Sequence, residues 1–350
     1  MNTVDDPRGP VVVGVDGSDS SLLAVRLGAQ EAALRHRPLH LVHAFIWPLL
    51  NVNTGPSESG PATGGLRHDA ERVLADAAAA ATSVAPSVPV TAELLTGAPA
   101  PVLMHAAKDA SLLVIGDRGL GGFTGLLVGS VAVHCTQHGH TPVLVARGTE
   151  HPGGPVVVGV DAALHSANAI DAAFAEAELR RAELLAVHTW TRHSGHGHEP
   201  VPGAVHRGEA HHGAVQGGEP HHGAVVHDEP PHMGAVQVGS IRPGAPPAEP
   251  VGAALLRQDH ATAAVAEQEG RSLADALVSV RERHPDVTVR EHLVRGRPAR
   301  VLVDLSEQAQ LVVVGGRGCG GFTGLVMGSV SHQVLHHARC PVLIVPRPAA

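Results

Sequence analysis

The chain has 350 residues, 43% of them hydrophobic but only 2% aromatic, with no tyrosine and a formal charge of -8. That length exceeds one compact domain and favours two cores built from Ala, Val and Leu. An acidic surface without interleaved aromatics supplies neither phosphate neutralisation nor base stacking, so nucleic acid is not an expected partner.

Lys108 is the only lysine, and it stands in neither a Walker A loop nor a kinase strand, which removes both of those nucleotide chemistries. Cys135, Cys319 and Cys340 show no CxxC spacing, as suits a reducing compartment. The opening MNTVDDPRGP is acidic and polar and does not read as a secretory signal, and no run of 18 apolar residues reads as a membrane span. The expected location is the cytoplasm, with no membrane partner.

In chain order, short Val/Leu runs alternate with Ala-rich helical stretches. The first half reads as strands near 10–15, 39–45, 88–95, 111–116 and 142–146, and helices near 20–36, 67–84, 99–109 and 129–138. The strand runs barely alternate in polarity, which implies a parallel sheet covered on both faces. The pattern then repeats. PVVVGVD ending at Asp16 returns ending at Asp161, and VHAF with Val42 returns as VHTW with Val187, both at an offset of 145. Further on the offset is 199: GDRGLGGFTGLLVGS from Gly116 returns as GGRGCGGFTGLVMGS from Gly315, and PVLVAR returns as PVLIVP. The second copy therefore carries 54 additional residues. The expected domains are 1–147 and 148–350, divided near RGTEHPGGP, with a low-complexity His/Gly/Pro-rich insertion at about 191–250 that reads as mostly disordered.

Each glycine loop follows an apolar strand and ends in the Gly-Ser that opens a helix, so backbone N–H groups can converge where an anion would sit. Glycines keep side chains from holding phosphate oxygens away, and several are expected at positive φ. Ser130 and Ser329 stand where a hydroxyl could cap the helix or donate to phosphate. Topology points to the same place, the carboxyl ends of the strands of an open parallel sheet. The spacing Gly116, Gly119, Gly129, Ser130 recurs as Gly315, Gly318, Gly328, Ser329.

With VVVGVDGS, VHAF, the glycine loop, GSVA and PVLVAR in order, the sequence resembles the universal stress protein family, in the tandem form with two such domains. The resemblance covers nearly everything outside the insertion. It implies two Rossmann-like α/β domains, each a five-stranded parallel sheet flanked by helices, and ATP, with Mg2+, held without a Walker lysine. On that likeness Val15, Asp16 and Ala44 contact adenosine, and Gly116, Gly119, Gly129, Ser130 and Val131 hold the phosphates. The second copy offers Val160, Asp161, Thr189, Gly315, Gly318, Gly328, Ser329 and Val330. Arg118 and Arg317 sit at matching loop positions, able to pair with phosphate or to remain solvated. The likeness also implies that the two domains pair within the chain, with their last strands in contact, and that two chains can form a homodimer.

Asp16 suits ribose hydroxyls at a strand end, with helix capping as the other use. Asp117 puts a carboxylate inside the first loop, where it should weaken phosphate binding unless Mg2+ intervenes; the second loop has Gly316 there but replaces VDGSDSS by VDAALHS. Unequal sites are expected. Eleven of the 27 histidines lie between His188 and His232. The pairs His211/His212 and His221/His222 are the metal candidates, although an unstructured tract chelates weakly and without selectivity. His134/His138 and His332/His336 are each four apart on a helix without HExxH and read as core or surface residues. The leading reading is an ATP-binding regulatory or stress-response protein with no or slow turnover, since no base poised to activate water is evident. The alternatives are a slow ATP hydrolase or self-phosphorylating protein acting through Asp117 or Ser130, and a metal buffer acting through the histidine tract.

Overall fold

The computed structural model describes residues 9–45, 62–120, 128–161, 166–191, 251–316 and 327–346, without the side chains of 62–66 and 251–261. Ten strands form one sheet in the order β3-β2-β1-β4-β5-β10-β9-β6-β7-β8. The first repeat supplies β1 (Val11–Gly14), β2 (Leu39–Phe45), β3 (Val90–Thr96), β4 (Leu112–Gly116) and β5 (Val143–Ala146). Its helices are α1 (Asp19–Arg35), α2 (Ala62–Val84), α3 (Pro99–Ala106) and α4 (Ser130–His138). The second repeat supplies β6 (Val156–Gly159), β7 (Leu184–Trp190), β8 (Val289–Arg295), β9 (Leu311–Gly315) and β10 (Val342–Val345). Its helices are α5 (Ala167–Arg180), α6 (Val251–Arg283), α7 (Pro298–Leu305) and α8 (Ser329–His337).

Within each repeat every strand pair is parallel. Between the repeats β5 and β10 pair antiparallel, with Leu144 opposite Leu343. The strand directions therefore reverse at that seam, and the carboxyl ends of the two five-stranded halves lie on opposite edges of the sheet.

The unbroken Val runs are explained by burial on both faces. Along β1, Val11 and Val13 enter a core packed under α1, α2, α5 and α6, whereas Val12 enters the opposite core under α3, α4, α7 and α8. Each central strand thus feeds two apolar layers, whereas the edge strands β3 and β8 are partly exposed and carry Thr91, Glu93, Arg290 and Glu291. The near absence of rings is met by small side chains. Gly28 of α1 sits so close to β1 that a Cβ there would come within 2.4 Å of Val13. Phe174 is the one aromatic ring among the largest fully buried side chains.

Helix boundaries follow local signals. Ser18 caps α1, its Oγ accepting from Ser21 N–H at 3.2 Å, and His36 ends the helix in the left-handed region at φ 53°. Pro99 and Pro298 open α3 and α7 at the first turn. Cys135 and Cys340 are buried free thiols, both pushed up to about 12 by burial. No described helix is long and apolar enough to cross a membrane.

Candidate functional site

In the order β3-β2-β1-β4-β5, β1 has its sequence neighbours on one side and β4 on the other, and the crevice between the β1 and β4 carboxyl ends is the switch point. Asp16 follows β1 and Gly116 ends β4, so the two motifs separated by 100 residues meet there. The second repeat repeats the arrangement with β6 and β9, bringing Asp161 and Gly315 to its own crevice.

Asp16 fastens the loop. Its Oδ1 accepts from the Ser18 backbone N–H at 3.0 Å and the Ser18 hydroxyl at 2.6 Å, while Oδ2 accepts from Leu120 N–H at 3.0 Å. Burial pushes the carboxyl up, but the donors from Ser18 and Leu120 outweigh it and hold the group below its ordinary value. Asp16 is therefore not the helix cap; Ser18 is, and Asp16 ties that cap to the glycine loop.

Among the described loop residues, Gly116 and Gly119 serve close approach rather than positive φ. Among the described residues, positive-φ glycines are Gly17, Gly97, Gly148 and Gly153, and none belongs to a phosphate-loop motif. A Cβ on Gly116 would fall 2.8 Å from the Ser20 backbone, and one on Gly119 would fall 2.4 Å from Asp16 Oδ2. Gly116 and Gly119 are thus held by close approach, where a methyl group has no room; Gly121, Gly122, Gly125 and Gly318, on which the expectation of left-handed loop glycines also falls, lie outside the described residues. Gly129 differs, with φ -72° and no neighbour nearer than 3.5 Å to a Cβ.

The loop closes on itself in the same way in both repeats. Asp117 N–H donates to Ala146 O at 3.2 Å and Gly129 N–H to Asp117 O at 2.7 Å; Gly316 N–H donates to Val345 O at 2.8 Å and Gly328 N–H to Gly316 O at 2.9 Å. These bonds deliver the start of α4 and of α8 to the crevice. Gly129 and Gly328 are the N-cap residues, with no side-chain cap, and Ser130 and Ser329 are the first helical residues. The serine hydroxyls do not cap these helices, a second correction: one position further along, they cannot reach the amides that a capping oxygen serves. The first amide with an acceptor is that of Val133, to Gly129 O at 3.2 Å, and His332 matches it, to Gly328 O at 2.9 Å. The N–H groups of Ser130 and Val131, and of Ser329 and Val330, lie in the part of the turn that has no intrahelical acceptor.

Asp117 is tied to α1 through Ser20. Its Oδ1 accepts from Ser20 Oγ at 2.7 Å and lies 3.8 Å from Arg118 Nε, and Ser20 Oγ also accepts from Arg118 N–H at 3.3 Å. The Arg118 side chain is 64% exposed. Of the residues that the family likeness would put against adenosine, Val15 is 5% exposed and its backbone is engaged, donating to Val42 O at 2.9 Å and accepting from the His43 ring at 2.8 Å. Ala44 pairs with Leu95 on the neighbouring strand and is half-buried. Val160 repeats Val15, donating to Val187 O at 2.8 Å and accepting from His188 at 2.9 Å, and Thr189 pairs with Val294.

The second crevice differs where its motif does. Asp161 is exposed, its N–H donates to Ser166 Oγ at 3.2 Å, and the Ser166 hydroxyl donates back to the Asp161 carbonyl. Ser331, which stands where the first repeat has Ala132, donates to Gly315 O. Arg317, Gly318 and the candidates His211, His212, His221 and His222 lie outside the described residues. Among the described residues, no three His, Cys, Asp or Glu side chains gather as a metal site. His134 and His138 stack with centroids 4.4 Å apart on the exposed face of α4.

Sequence reasoning passed over Ser20, which joins α1 to the loop, and the pair His43/His188, each holding a carbonyl at a strand end. The 145-residue offset aligns the two histidines and was the available signal. Among the described residues only His188 has a further partner, Glu269 Oε2 at 3.0 Å from Nε2.

The universal stress protein family model matches residues 7–147 and 242–346. Two universal stress proteins of Mycobacterium tuberculosis are each 33% identical to the chain, over 342 and 344 residues, which is 95% of this chain and 95% and 96% of theirs. A solved universal stress protein from Archaeoglobus fulgidus, 14% identical, shares the fold at a TM-score of 0.57 over 97% of this chain and 98% of its own. With its two glycine loops at the two switch points and a match along most of its length, the chain belongs to the universal stress protein family.

Proposed function

We propose that this universal stress protein binds an adenine nucleotide at each switch-point crevice, ATP with Mg2+ being the preferred form, and acts as a nucleotide-dependent regulator with no or slow turnover. The observation that carries the reading is the uncapped start of α4 and of α8, delivered by a loop bonded to itself and, in the first repeat, clamped by Asp16. Uncapped amides at a helix N-terminus suit phosphate oxygens without an ammonium group. Gly116, Gly119, Gly129, Ser130 and Val131 would hold the phosphates of the first nucleotide, with Arg118 free to swing toward them. Gly315, Gly318, Gly328, Ser329, Val330 and Arg317 would do so in the second. Asp16 and Asp161 would meet ribose hydroxyls, and Val15 with Ala44, and Val160 with Thr189, would border the base.

A regulatory role fits the side chains better than hydrolysis. Asp117, the carboxylate that could serve as a base, is committed to Ser20. The nucleotide-binding domains are 1–147 and 148–350, they act as an intramolecular pair joined through β5 and β10, and the protein works in the cytoplasm. Native mass spectrometry of the purified full chain should find adenine nucleotide retained by wild type and lost from Gly129→Ala. Steady phosphate release that depends on Gly129 and runs on a seconds timescale would replace this reading by the hydrolase one.

A further inference from the structure

Three buried nitrogens in one place have no hydrogen-bond partner among the described residues: Nε and Nη1 of Arg147 and Nε2 of His336. Arg147 directly follows β5 and belongs to the first repeat, whereas His336 lies in the last turn of α8 and belongs to the second. Arg147 Nη2 donates to the His336 carbonyl at 3.0 Å, so the guanidinium crosses the β5·β10 seam. The place adjoins the first glycine loop, because Asp117 N–H is bonded to the carbonyl of Ala146, the residue before Arg147. It occurs once per chain, since Pro346 stands at the matching position of the second repeat.

Burying cationic donors without acceptors is costly, and a neighbouring carboxylate is the usual remedy. None is aimed here. Among the described residues Asp117 is the only acid whose charge reaches Arg147, and its carboxylate faces Ser20 and Arg118 instead. The other groups around the seam are Arg118, His332 and His337, together with the Cys340 thiol, which burial keeps protonated. Burial, then His332, His337 and Arg147, hold His336 below its ordinary value. The seam is a positive, partly desolvated place with donors to spare.

We propose that Arg147 and His336 form a seat for one small oxyanion of the phosphate class, at the seam between the repeats and beside the first glycine loop. Guanidinium and imidazole N–H groups match phosphate oxygens in geometry and charge. The anion is either free phosphate or the terminal phosphoryl group of a nucleotide in the loop, and the seat itself does not depend on the nucleotide reading.

The test uses the full chain and inorganic phosphate, with sodium chloride of equal ionic strength as the control. Wild type should broaden the 31P line of phosphate and raise its own melting midpoint above the chloride value. Arg147→Met should sharply reduce both effects, leaving only what the helix starts bind, and His336→Phe should weaken phosphate binding at the seat about tenfold, the loss of one charge-assisted hydrogen bond. If ATP displaces the bound phosphate and adenosine does not, the seat takes the terminal phosphoryl group; if ATP and phosphate bind independently, it takes the free anion. An unbroadened phosphate line with wild type, or equal broadening by a folded Arg147→Met, overturns the proposal. Should Arg147→Met fail to fold, undiminished phosphate binding by His336→Phe overturns it equally.

Discussion

Asp16, Gly116 and Gly129 look alike in a motif but carry different physical burdens. A methyl group on Gly116 strikes the Ser20 backbone. Gly116→Ala should therefore cost roughly 1–3 kcal/mol by the overpacking scale, seen as a lower denaturant midpoint. At Gly129 the backbone is extended and the nearest atoms stand 3.5 Å from a Cβ. Gly129→Ala should lose less than about 1 kcal/mol, the difference between glycine and alanine at an N-cap, while its nucleotide affinity falls. Asp16 makes a pH prediction with a definite sign. Its folded-state value is depressed, so its contribution is complete above the unfolded carboxylate value of about 3.9 and fades as pH falls through the lower folded value. The stability gap between wild type and Asp16→Asn should be about 1–2 kcal/mol at neutral pH, allowing for solvent screening, and should shrink on acidification. Equal gaps at pH 7 and pH 3 would show that Asp16 is not the clamp described. The sequence showed that Asp16 and the glycines belong together but not how. Their contact spans 104 residues from Asp16 to Leu120, and no local pattern encodes which oxygen meets which amide.

Among the elements, α1 and α5 hold the main surprise. Glu31 and Arg35 of α1 meet Glu176 and Arg180 of α5 in a closed ring of four: each arginine bonds the glutamate one turn earlier on its own helix and the glutamate of the other repeat. The Glu31 side chain is 1% exposed and that of Glu176 8%. Burial pushes the Glu176 carboxyl up, but the Arg180 and Arg35 charges outweigh it and the group stays ionised. Removing one partner strands a buried charge, so Arg35→Met should cost about 3–5 kcal/mol, whereas replacing all four residues by Met and Leu should recover most of that loss. Chemical denaturation of the single and quadruple variants measures both, and a quadruple variant no better than the single one would contradict the ring's balance. The 145-residue offset aligned these four residues in sequence. It could not show that they face one another, because helix amphipathicity marks a buried face and says nothing of what covers it. The strands and helices themselves were legible to within a few residues, since Val runs, prolines at first turns and Ser18 are local signals. The antiparallel join of β5 to β10 was not, as two apolar runs carry no direction.

For the whole molecule, the sheet organises what each repeat can do. Both halves keep the parallel order that opens a switch point, and the reversal at β5·β10 sends the two crevices to opposite edges. Both cores run beneath helices of both repeats, with Phe174 of α5 and Ala24 of α1 in one and Leu103 of α3 and Leu302 of α7 in the other. The histidine tract, which lies outside the described residues, is rich in Pro, Gly and His and carries little apolar surface to bury. Deleting residues 195–245 should therefore leave the melting midpoint and nucleotide affinity unchanged, as circular dichroism and calorimetry would show, while a metal-buffering protein would lose its function. The central claim is that uncapped helix starts, presented by self-bonded glycine loops, hold a nucleotide polyphosphate. Calorimetric titration of wild type and Gly129→Ala with ATP and magnesium tests it most directly: the account predicts saturable binding by wild type, markedly weakened in the folded variant, and an absence of binding by folded wild type at millimolar ATP would contradict it.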